Sequence, residues 1–209
     1  MTDGAKLLME NCVISNFNTS SYAGVFVNTG AQVRVIDSVF RDNYDGLLLS
    51  SGAQATVTNA KFMGNTHISV FATDSFGSGI VVTSARIDRT IAQGGSTGFA
   101  AHNFTLGNRS ELFVTDSIAT AASVGIEVYS TNGVAFASIH HSAIIDNDYV
   151  GLSANGAGSR LIVSSNTVSG STYGIKQDGG ATVESAGDNS VRGNTTNVSG
   201  TITTTYPKM

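Results

Sequence analysis

Residues 30–49 read GAQVRVIDSVFRDNYDGLLL, and residues 52–71 repeat the same pattern as GAQATVTNAKFMGNTHISVF. Both segments begin with Gly-Ala-Gln, and Phe40 and Asn43 of the first return as Phe62 and Asn65 in the second. A fixed period in the twenties, built from short alternating apolar stretches and small polar turns, is typical of a stacked β-solenoid. The repeat therefore predicts an all-β chain that coils about one axis.

Two signals recur along the chain and define the coils. The first is an alternating strand followed by a small residue at a bend and one more apolar position, so every second side chain is predicted to point inward. Its copies are Leu7/Met9/Cys12/Ile14, Val33/Val35/Ser38/Phe40, Ala55/Val57/Ala60/Phe62, Ile80/Val82/Ala85/Ile87, Leu112/Val114/Ser117/Ala119, Ala137/Ile139/Ser142/Ile144 and Leu161/Val163/Asn166/Val168. The second signal is a glycine before a short apolar strand, at Gly24, Gly46, Gly98, Gly125, Gly151 and Gly174. Together they predict a single domain over residues 1–209, with three short strands per coil, three parallel sheets and about eight coils.

Two stacks of like residues are expected from this register. The apolar stack comprises Ile14, Phe40, Phe62, Ile87, Ala119, Ile144, Val168 and Val191. The polar stack is an asparagine ladder at one bend, formed by Asn43, Asn65, Asn147 and Asn194. Asparagine tolerates left-handed backbone angles, and its amide bonds to nearby backbone, so a structural role is predicted for this ladder.

The two ends of the chain differ in character. From about residue 180 to residue 209 the strand residues become small and polar, which predicts a cap that closes the stack. A coil begins within the first residues without a comparable capping segment. An uncovered coil exposes apolar side chains and open strand edges, so residues 4–14 are predicted either to mediate homo-oligomer formation or to be covered by part of a longer parent protein.

Composition narrows the classes of partner. Charged residues make up 12% of the chain and the net charge is −4, so no basic surface for nucleic acid is predicted. No apolar run approaches the roughly 18 residues that a membrane-spanning helix needs. Residues 1–11 lack the layout of a secretory signal, and the one cysteine rules out an internal disulfide.

The coils resemble the parallel β-helix repeats of the pectate-lyase-like superfamily, and more narrowly those of uncharacterised secreted bacterial β-helix proteins. The resemblance is carried by KLLMENCVISNF at residues 6–17, the recurring DSxF, DN and GL/GI segments, and SAGDNSVRGNTTNVSGTITT at residues 185–204. It covers nearly all of residues 4–204. It implies a right-handed, single-stranded parallel β-helix and an extracellular, periplasmic or cell-surface location for the parent protein.

The best-known enzymes of that superfamily act on acidic polysaccharides, but their catalytic motifs are missing. The Asn-Thr-Asp, Asp-Asp, Gly-His-Gly and Arg-Ile-Lys segments of polygalacturonase-like hydrolases do not occur, and the nearest match is Arg86-Ile87-Asp88. Inverting hydrolysis needs two carboxylates roughly 6.5–9.5 Å apart. The predicted outward positions pair no carboxylates, so no catalytic residue and no cofactor are predicted.

A group of charged residues is the candidate ligand site. Arg41, Lys61, Arg86 and Arg89, with Asp88 among them, are expected on consecutive coils on or beside one sheet, where they could bind an anionic sugar. The alternative is an ordinary solvated face of mixed charge. The segment between Ile87 and Leu112 departs furthest from the period and is predicted to be a loop beside this site.

The remaining candidate residues favour structural roles. His140 and His141 are adjacent and should point to opposite faces, while His67 and His102 lie in different coils with no carboxylate in sequence beside them. No metal site is therefore predicted. Cys12 takes the small bend position and is expected to be buried. Tyr44, Tyr149 and Tyr173 precede the glycine strands at similar offsets and are expected to stack along one edge.

Two functions remain open from the sequence. The preferred one is a non-catalytic scaffold or binding module of a secreted or surface bacterial protein, with polysaccharide as a possible partner. The alternative is a polysaccharide lyase or glycoside hydrolase that acts on an acidic polysaccharide along the outer sheet.

Overall fold

A computed structural model describes residues 1–2, 4–75, 79–202 and 204–205. In these residues the chain forms twenty-five short β-strands and no helix, and the strands pair in parallel. No helix in this part of the chain is long and apolar enough to cross a membrane.

The strands form three sheets, and each successive coil adds one strand to each sheet. Sheet 1 contains β1 (Lys6–Glu10), β4 (Gln32–Ile36), β7 (Gln54–Thr58), β10 (Val82–Asp88), β13 (Arg109–Thr115), β16 (Val134–His140), β19 (Ser159–Ser164), β22 (Thr182–Ser185) and β25 (Thr204–Thr205). Sheet 2 contains β2 (Val13–Ser15), β5 (Val39–Arg41), β8 (Lys61–Met63), β11 (Ile91–Gln93), β14 (Ile118–Thr120), β17 (Ala143–Ile145), β20 (Thr167–Ser169) and β23 (Ser190–Val191). Sheet 3 contains β3 (Ala23–Asn28), β6 (Asp45–Ser50), β9 (Ile68–Thr73), β12 (Thr97–Asn103), β15 (Val124–Ser130), β18 (Val150–Asn155), β21 (Tyr173–Asp178) and β24 (Thr196–Ser199). Coil 1 is β1–β3, and the later coils follow in threes through coil 8, β22–β24, so the predicted all-β solenoid of about eight coils is confirmed.

The core is a column of side chains enclosed by the three sheets. In sheet 2 the inner stack is Ile14, Phe40, Phe62, Ala92, Ala119, Ile144, Val168 and Val191. Phe40 and Phe62 are fully buried, and their rings stack with centroids 4.6 Å apart. Such a ring pair stabilises beyond the area that it buries. In coil 4 the sheet 2 position holds only Ala92, and a fully buried Phe99 projects into the core from sheet 3. The large core side chain of this coil therefore comes from sheet 3 and not from sheet 2.

The register predicted for coil 4 is wrong. Ala92, and not Ile87, occupies the position of Phe62, while Ile87 pairs with Val57 in sheet 1. Ile80 is 82% exposed, so it is not part of the interior. The predicted loop between Ile87 and Leu112 is also wrong, because that segment forms β11, β12 and the start of β13. The insertion precedes β10 instead, around residues 74–81, of which 76–78 lie outside the described residues.

Both polar bends of each coil contain a residue with positive φ. At the bend between sheets 1 and 2 these are Asn11, Asp37, Asn59, Arg89, Asp116, His141 and Ser165, with φ between 47° and 54°. At the bend between sheets 2 and 3 they are Asn16, Asp42, Gly64, Gly94, Ala121, Asp146, Gly170 and Gly193. The left-handed region explains why Asn, Asp and Gly dominate these positions.

At several bends the residue after the positive φ carries a side chain that bonds from coil to coil. At the first bend, Ser38 Oγ donates to Ile36 O at 2.7 Å and accepts from Cys12 N at 3.1 Å. At the second bend, Asn65 Nδ2 donates to Phe40 O at 3.1 Å, and Asn65 Oδ1 accepts from Asn43 Nδ2 at 3.0 Å.

The asparagine ladder is interrupted. Asn147 and Asn194 occupy the same bend as Asn43 and Asn65, and their amides donate to the carbonyls of Ala119 and Val168. The register places Gly95 and Ala122 between Asn65 and Asn147, and Ser171 between Asn147 and Asn194. Only Asn43 and Asn65 are therefore consecutive, so a continuous stack of all four is not formed.

The ends of the described stack differ from its middle. Coil 1 pairs with coil 2 on one side, and its inward residues Leu7, Met9 and Ile14 are only partly buried. Residues 182–199 continue all three sheets as coil 8, and β25 adds to sheet 1. Residue 203 and residues 206–209 of the predicted C-terminal cap lie outside the described residues.

Candidate functional site

The outer face of sheet 1 forms an open groove over coils 1 to 5, with a volume of about 740 Å³. The alternation of the strands creates this groove. In β4, Val33 and Val35 point into the core, so Gln32 and Arg34, which alternate with them, point outward. The parallel register then places Arg34 between Leu8 of β1 and Thr56 of β7. The polar side chains of the lining are Lys6, Gln32, Arg34, Gln54, Thr56, Thr58, Ser84, Arg86 and Glu111.

The groove carries three cations, Lys6, Arg34 and Arg86. None of them forms an ion pair with a side chain that the structure describes. The carboxylate of the lining, Glu111, is paired with Arg109. The groove lining therefore carries three cations and one carboxylate, although the chain as a whole carries a net charge of −4.

One of these cations is held in place by an aromatic ring. The Arg86 Cζ atom lies 4.3 Å from the ring centroid of Phe113, its neighbour on β13. A guanidinium over an aromatic face is attracted by the ring quadrupole. Arg86 is therefore oriented before any ligand arrives.

The structure divides the predicted ligand residues between two sheets. Arg41 and Lys61 lie on β5 and β8 of sheet 2, whereas Arg86 and Asp88 lie on β10 of sheet 1. Arg89 sits in the bend between the sheets, where its φ is 47°. The predicted single strip is thus wrong, because it rested on a coil-4 register displaced by five residues, with Ile87 in the place of Ala92.

Two of the predicted residues are engaged by acidic neighbours. Arg41 Nη1 lies 2.8 Å from Asp42 Oδ2, and Arg89 Nη1 lies 2.9 Å from Asp88 Oδ2. Both arginines are about half exposed or more, so these pairs stabilise little. Of the predicted set, only Arg86 lines the sheet 1 groove.

A second cluster, on the outer face of sheet 3, was not predicted. His67 Nδ1 lies 2.8 Å from Asp45 Oδ1, and His102 Nε2 lies 2.9 Å from Glu127 Oε2. The ring of Phe71 contacts both imidazoles, with centroid distances of 6.3 Å and 4.9 Å. Each histidine thus bonds to a carboxylate one coil away. The sequence analysis did not predict these pairs, because the two partners of each pair are more than twenty residues apart in the chain.

The tyrosines do not form one stack. Tyr149 and Tyr173 meet edge to face with centroids 5.5 Å apart, and Lys176 Nζ lies over both rings. Hydrogen bonding to Asp178 raises the pKa of Lys176. Tyr44 instead stacks on His67, with centroids 4.7 Å apart.

The described residues contain no group of three or more His, Cys, Asp or Glu side chains that could hold a metal ion. Cys12 occupies the predicted bend position, where Sγ lies 3.3 Å from Glu10 O. It is only partly buried, because coil 1 has a neighbour on one side.

The described residues have one strand per sheet in each coil, parallel pairing and polar ladders at the bends. Residues 1–139 match the family model described as "Right handed beta helix region". The chain belongs to this family. The match spans coils 1 to 5 and nearly all of β16, and the regular stacking of the later coils continues it. No curated protein and no solved structure matches the chain.

Membership of the right-handed β-helix family establishes the fold and does not identify a ligand, because one fold supports many activities. The features that bear on function therefore lie on the outer faces of the sheets. Lys6 and Arg34 were missed as site residues, although one signal for Arg34 was present in the sequence. It alternates with two valines in the quoted repeat, and that alternation alone points it outward.

Proposed function

We propose that this β-helix is a binding module for an extended acidic polysaccharide that lies along the groove of sheet 1. The observation that carries the proposal is the set of three cations, Lys6, Arg34 and Arg86, in one groove without ion-pair partners among the described residues. An anionic ligand supplies the missing negative charge. The site is local, so the acidic composition of the whole chain does not oppose it.

The groove chemistry suits a sugar that carries carboxylates. Guanidinium groups bind carboxylates through two parallel hydrogen bonds, and such charge-assisted bonds are the stronger class. The amides of Gln32 and Gln54 and the hydroxyl of Thr56 can both donate and accept, as sugar hydroxyls require. Successive coils repeat about every 4.8 Å, which offers a regular series of positions to a linear polymer.

The family resemblance supplies the biological setting of the proposal. In this proposal, the module belongs to a secreted or surface-exposed bacterial protein and acts as a scaffold that holds polysaccharide. The competing candidate is a lyase or hydrolase of acidic polysaccharides. The groove carries one carboxylate, Glu111, already paired with Arg109, and this favours binding over a mechanism that needs two carboxylates.

Binding to polygalacturonate, measured by isothermal titration calorimetry, tests the proposal. Arg34→Ala and Arg86→Ala are each expected to weaken binding about tenfold or more, because a hydrogen bond to a charged group contributes roughly 1.5–3 kcal/mol. Affinity should also fall with added salt. Arg41→Ala and Lys61→Ala are the matched controls, since they remove the same charges from sheet 2 and should leave binding unchanged.

Three outcomes would contradict the proposal. They are unchanged binding after loss of Arg34 and Arg86, equal weakening by the sheet 2 controls, and equal affinity for a neutral glucan. Release of reducing ends or unsaturated sugars from the polymer, with or without calcium, would support the enzyme alternative instead.

A further inference from the structure

Three polar side chains meet on the outer face of sheet 1 in coils 6 and 7, beyond the groove. Ser138 and His140 alternate on β16, so both point outward, and the parallel register sets Ser164 of β19 beside His140. Ser138 Oγ lies 2.7 Å from His140 Nε2, and His140 Nδ1 is hydrogen-bonded to Ser164 Oγ. One imidazole therefore connects two hydroxyls, one through each ring nitrogen.

This arrangement has the geometry of an activated nucleophile. A hydroxyl becomes nucleophilic when a general base accepts its proton, with the two atoms within about 2.6–3.2 Å and the base oriented by a third group. With the proton on Nδ1, the imidazole donates to Ser164 Oγ, which leaves Nε2 to accept from Ser138. Ser164 is thus a positioning residue that holds the ring through Nδ1, and its hydroxyl can accept the hydrogen bond in this tautomer.

The surroundings of His140 favour the neutral form of the imidazole. Burial lowers the pKa of His140 below its ordinary value of 6.5, the nearby charge of His141 lowers it further, and Asp188, two coils further along the stack, opposes both. Asp116, whose backbone N–H bonds to His140 O, is the titratable group on the preceding coil. The carboxylate of Asp188, fixed by Ser165 N and Oγ at 2.9 Å and 2.8 Å, can stabilise an imidazolium formed during a reaction.

The walls around Ser138 are apolar. The register places Phe113 on one side of Ser138 and Ile162 on the other, and Phe136 precedes it by two residues on the same strand. The rings of Phe113 and Phe136 lie 5.7 Å apart. A small acyl group attached to an alcohol fits this setting, because the acyl carbon chain contacts the rings while the ester carbonyl faces the hydroxyl.

We propose that Ser138 is the nucleophile and His140 the general base of an esterase site that removes acetyl groups from saccharide hydroxyls. Ser138 Oγ attacks the ester carbonyl carbon as His140 Nε2 takes its proton. The bond to the sugar oxygen breaks, and that oxygen leaves with the proton from Nε2. Water then attacks the acetyl-serine in the same way, so one ester and one water give acetate and the free alcohol without any redox change.

The ester cleavage goes beyond polysaccharide binding and does not depend on it, whereas the choice of a saccharide as the alcohol part rests on the proposed function. The two sites share a face of sheet 1, so a bound polymer would extend from the cationic groove towards Ser138. The chemical step itself needs only an ester small enough to reach Ser138, and a small ester therefore tests it separately.

The experiment uses residues 1–209 with 4-nitrophenyl acetate as substrate and a fluorophosphonate as covalent probe. Hydrolysis by the wild-type chain and mass-spectrometric labelling at Ser138 are expected. Ser138→Ala and His140→Gln should each lower the rate about 100-fold or more, the lower range for loss of acid–base catalysis. Ser153→Ala, on the outer face of sheet 3, is the control and should match the wild type.

The pH profile distinguishes a positioning role from a structural one for Ser164. The base must be neutral, so the rate falls as the pH drops through the pKa of His140, and the lowered pKa keeps activity at pH values below 6.5. Ser164→Ala should retain part of the rate and move the midpoint of this profile.

Three results would overturn the esterase site. They are no labelling of the wild-type chain, labelling at another residue that persists in Ser138→Ala, and an unchanged rate of hydrolysis in that variant. Binding of polygalacturonate without labelling would defeat this inference alone, and labelling without polymer binding would defeat only the proposed binding function.

Discussion

At the scale of single residues, the bends of the coil are held by side chains that replace backbone partners. Asn65 has no exposure to solvent, and its amide bonds to the preceding coil through both of its polar atoms. Nδ2 donates to Phe40 O, and Oδ1 accepts from the backbone N–H and the side-chain amide of Asn43. A buried backbone carbonyl or N–H without a partner is costly. Gly95 and Ala122 occupy the same bend, so the coil can form there without asparagine. Loss of one amide is therefore expected to lower the stability of the fold without preventing folding.

Replacement of Asn65 by alanine is expected to lower the free energy of unfolding by about 1–3 kcal/mol, because Phe40 O loses its donor and Asn43 loses its acceptor. Urea unfolding followed by circular dichroism measures the effect. Gln93→Ala, an exposed amide in the next coil, should change stability by no more than about 0.5 kcal/mol. Equal stability of the two variants would show that the ladder bonds contribute nothing net.

At the scale of strands, the hydrophobic alternation predicts which residues face inward but cannot by itself fix the register of an irregular coil. Coil 4 offered two candidate alignments, because Ile80, Val82, Ala85 and Ile87 have the same spacing as Val33, Val35, Ser38 and Phe40. The structure selects the alignment in which Ile87 fills sheet 1 and Ala92 fills sheet 2. Ala92 and Phe99 are both fully buried, so the large core side chain of this coil comes from sheet 3.

A pair of isoleucine substitutions tests this register. Ile87 is 1% exposed and Ile80 is 82% exposed. Ile87→Ala is therefore expected to cost about 2–5 kcal/mol of unfolding free energy, while Ile80→Ala should change it by less than about 0.5 kcal/mol. Similar losses in both variants, measured by the same urea titration, would restore the alignment that places Ile80 in the interior.

At the scale of the molecule, coil 1 is the least covered part of the described stack. Its exposed apolar side chains include Leu8, Val13 and Phe17, which are 63%, 65% and 49% exposed. Among the described strands, β1, β2 and β3 each pair with one other strand. The outer edge of β3 also meets Met1, whose carbonyl accepts from Asn28 N and whose amino group donates to Phe26 O. An open parallel edge with apolar flanks favours association with another chain.

We therefore expect the chain of residues 1–209 to self-associate through residues 4–14, with an apparent mass that rises with protein concentration in sedimentation velocity. Leu8→Lys combined with Val13→Lys should shift the equilibrium to monomer, because lysines at an edge oppose pairing. Leu106→Lys is the control, since Leu106 is 81% exposed between coils 4 and 5. A monomer at every concentration, or equal dissociation by the control, would contradict the prediction.

The sequence alone determined the solenoid, because a repeat of alternating strands and left-handed turns has one economical packing: the coils stack, and like residues meet. It also identified Asn43 and Asn65 as neighbours, since their coils are regular. The outer faces could not be predicted in the same way. Each outer site depends on which residues of different coils lie side by side. These sites are the groove of Lys6, Arg34 and Arg86, the pairs His67–Asp45 and His102–Glu127, and the contact of His140 with Ser138 and Ser164. Only the tertiary structure decides those neighbours, because loops of different length join the strands, and sequence spacing alone did not fix the pairing of the irregular coil 4.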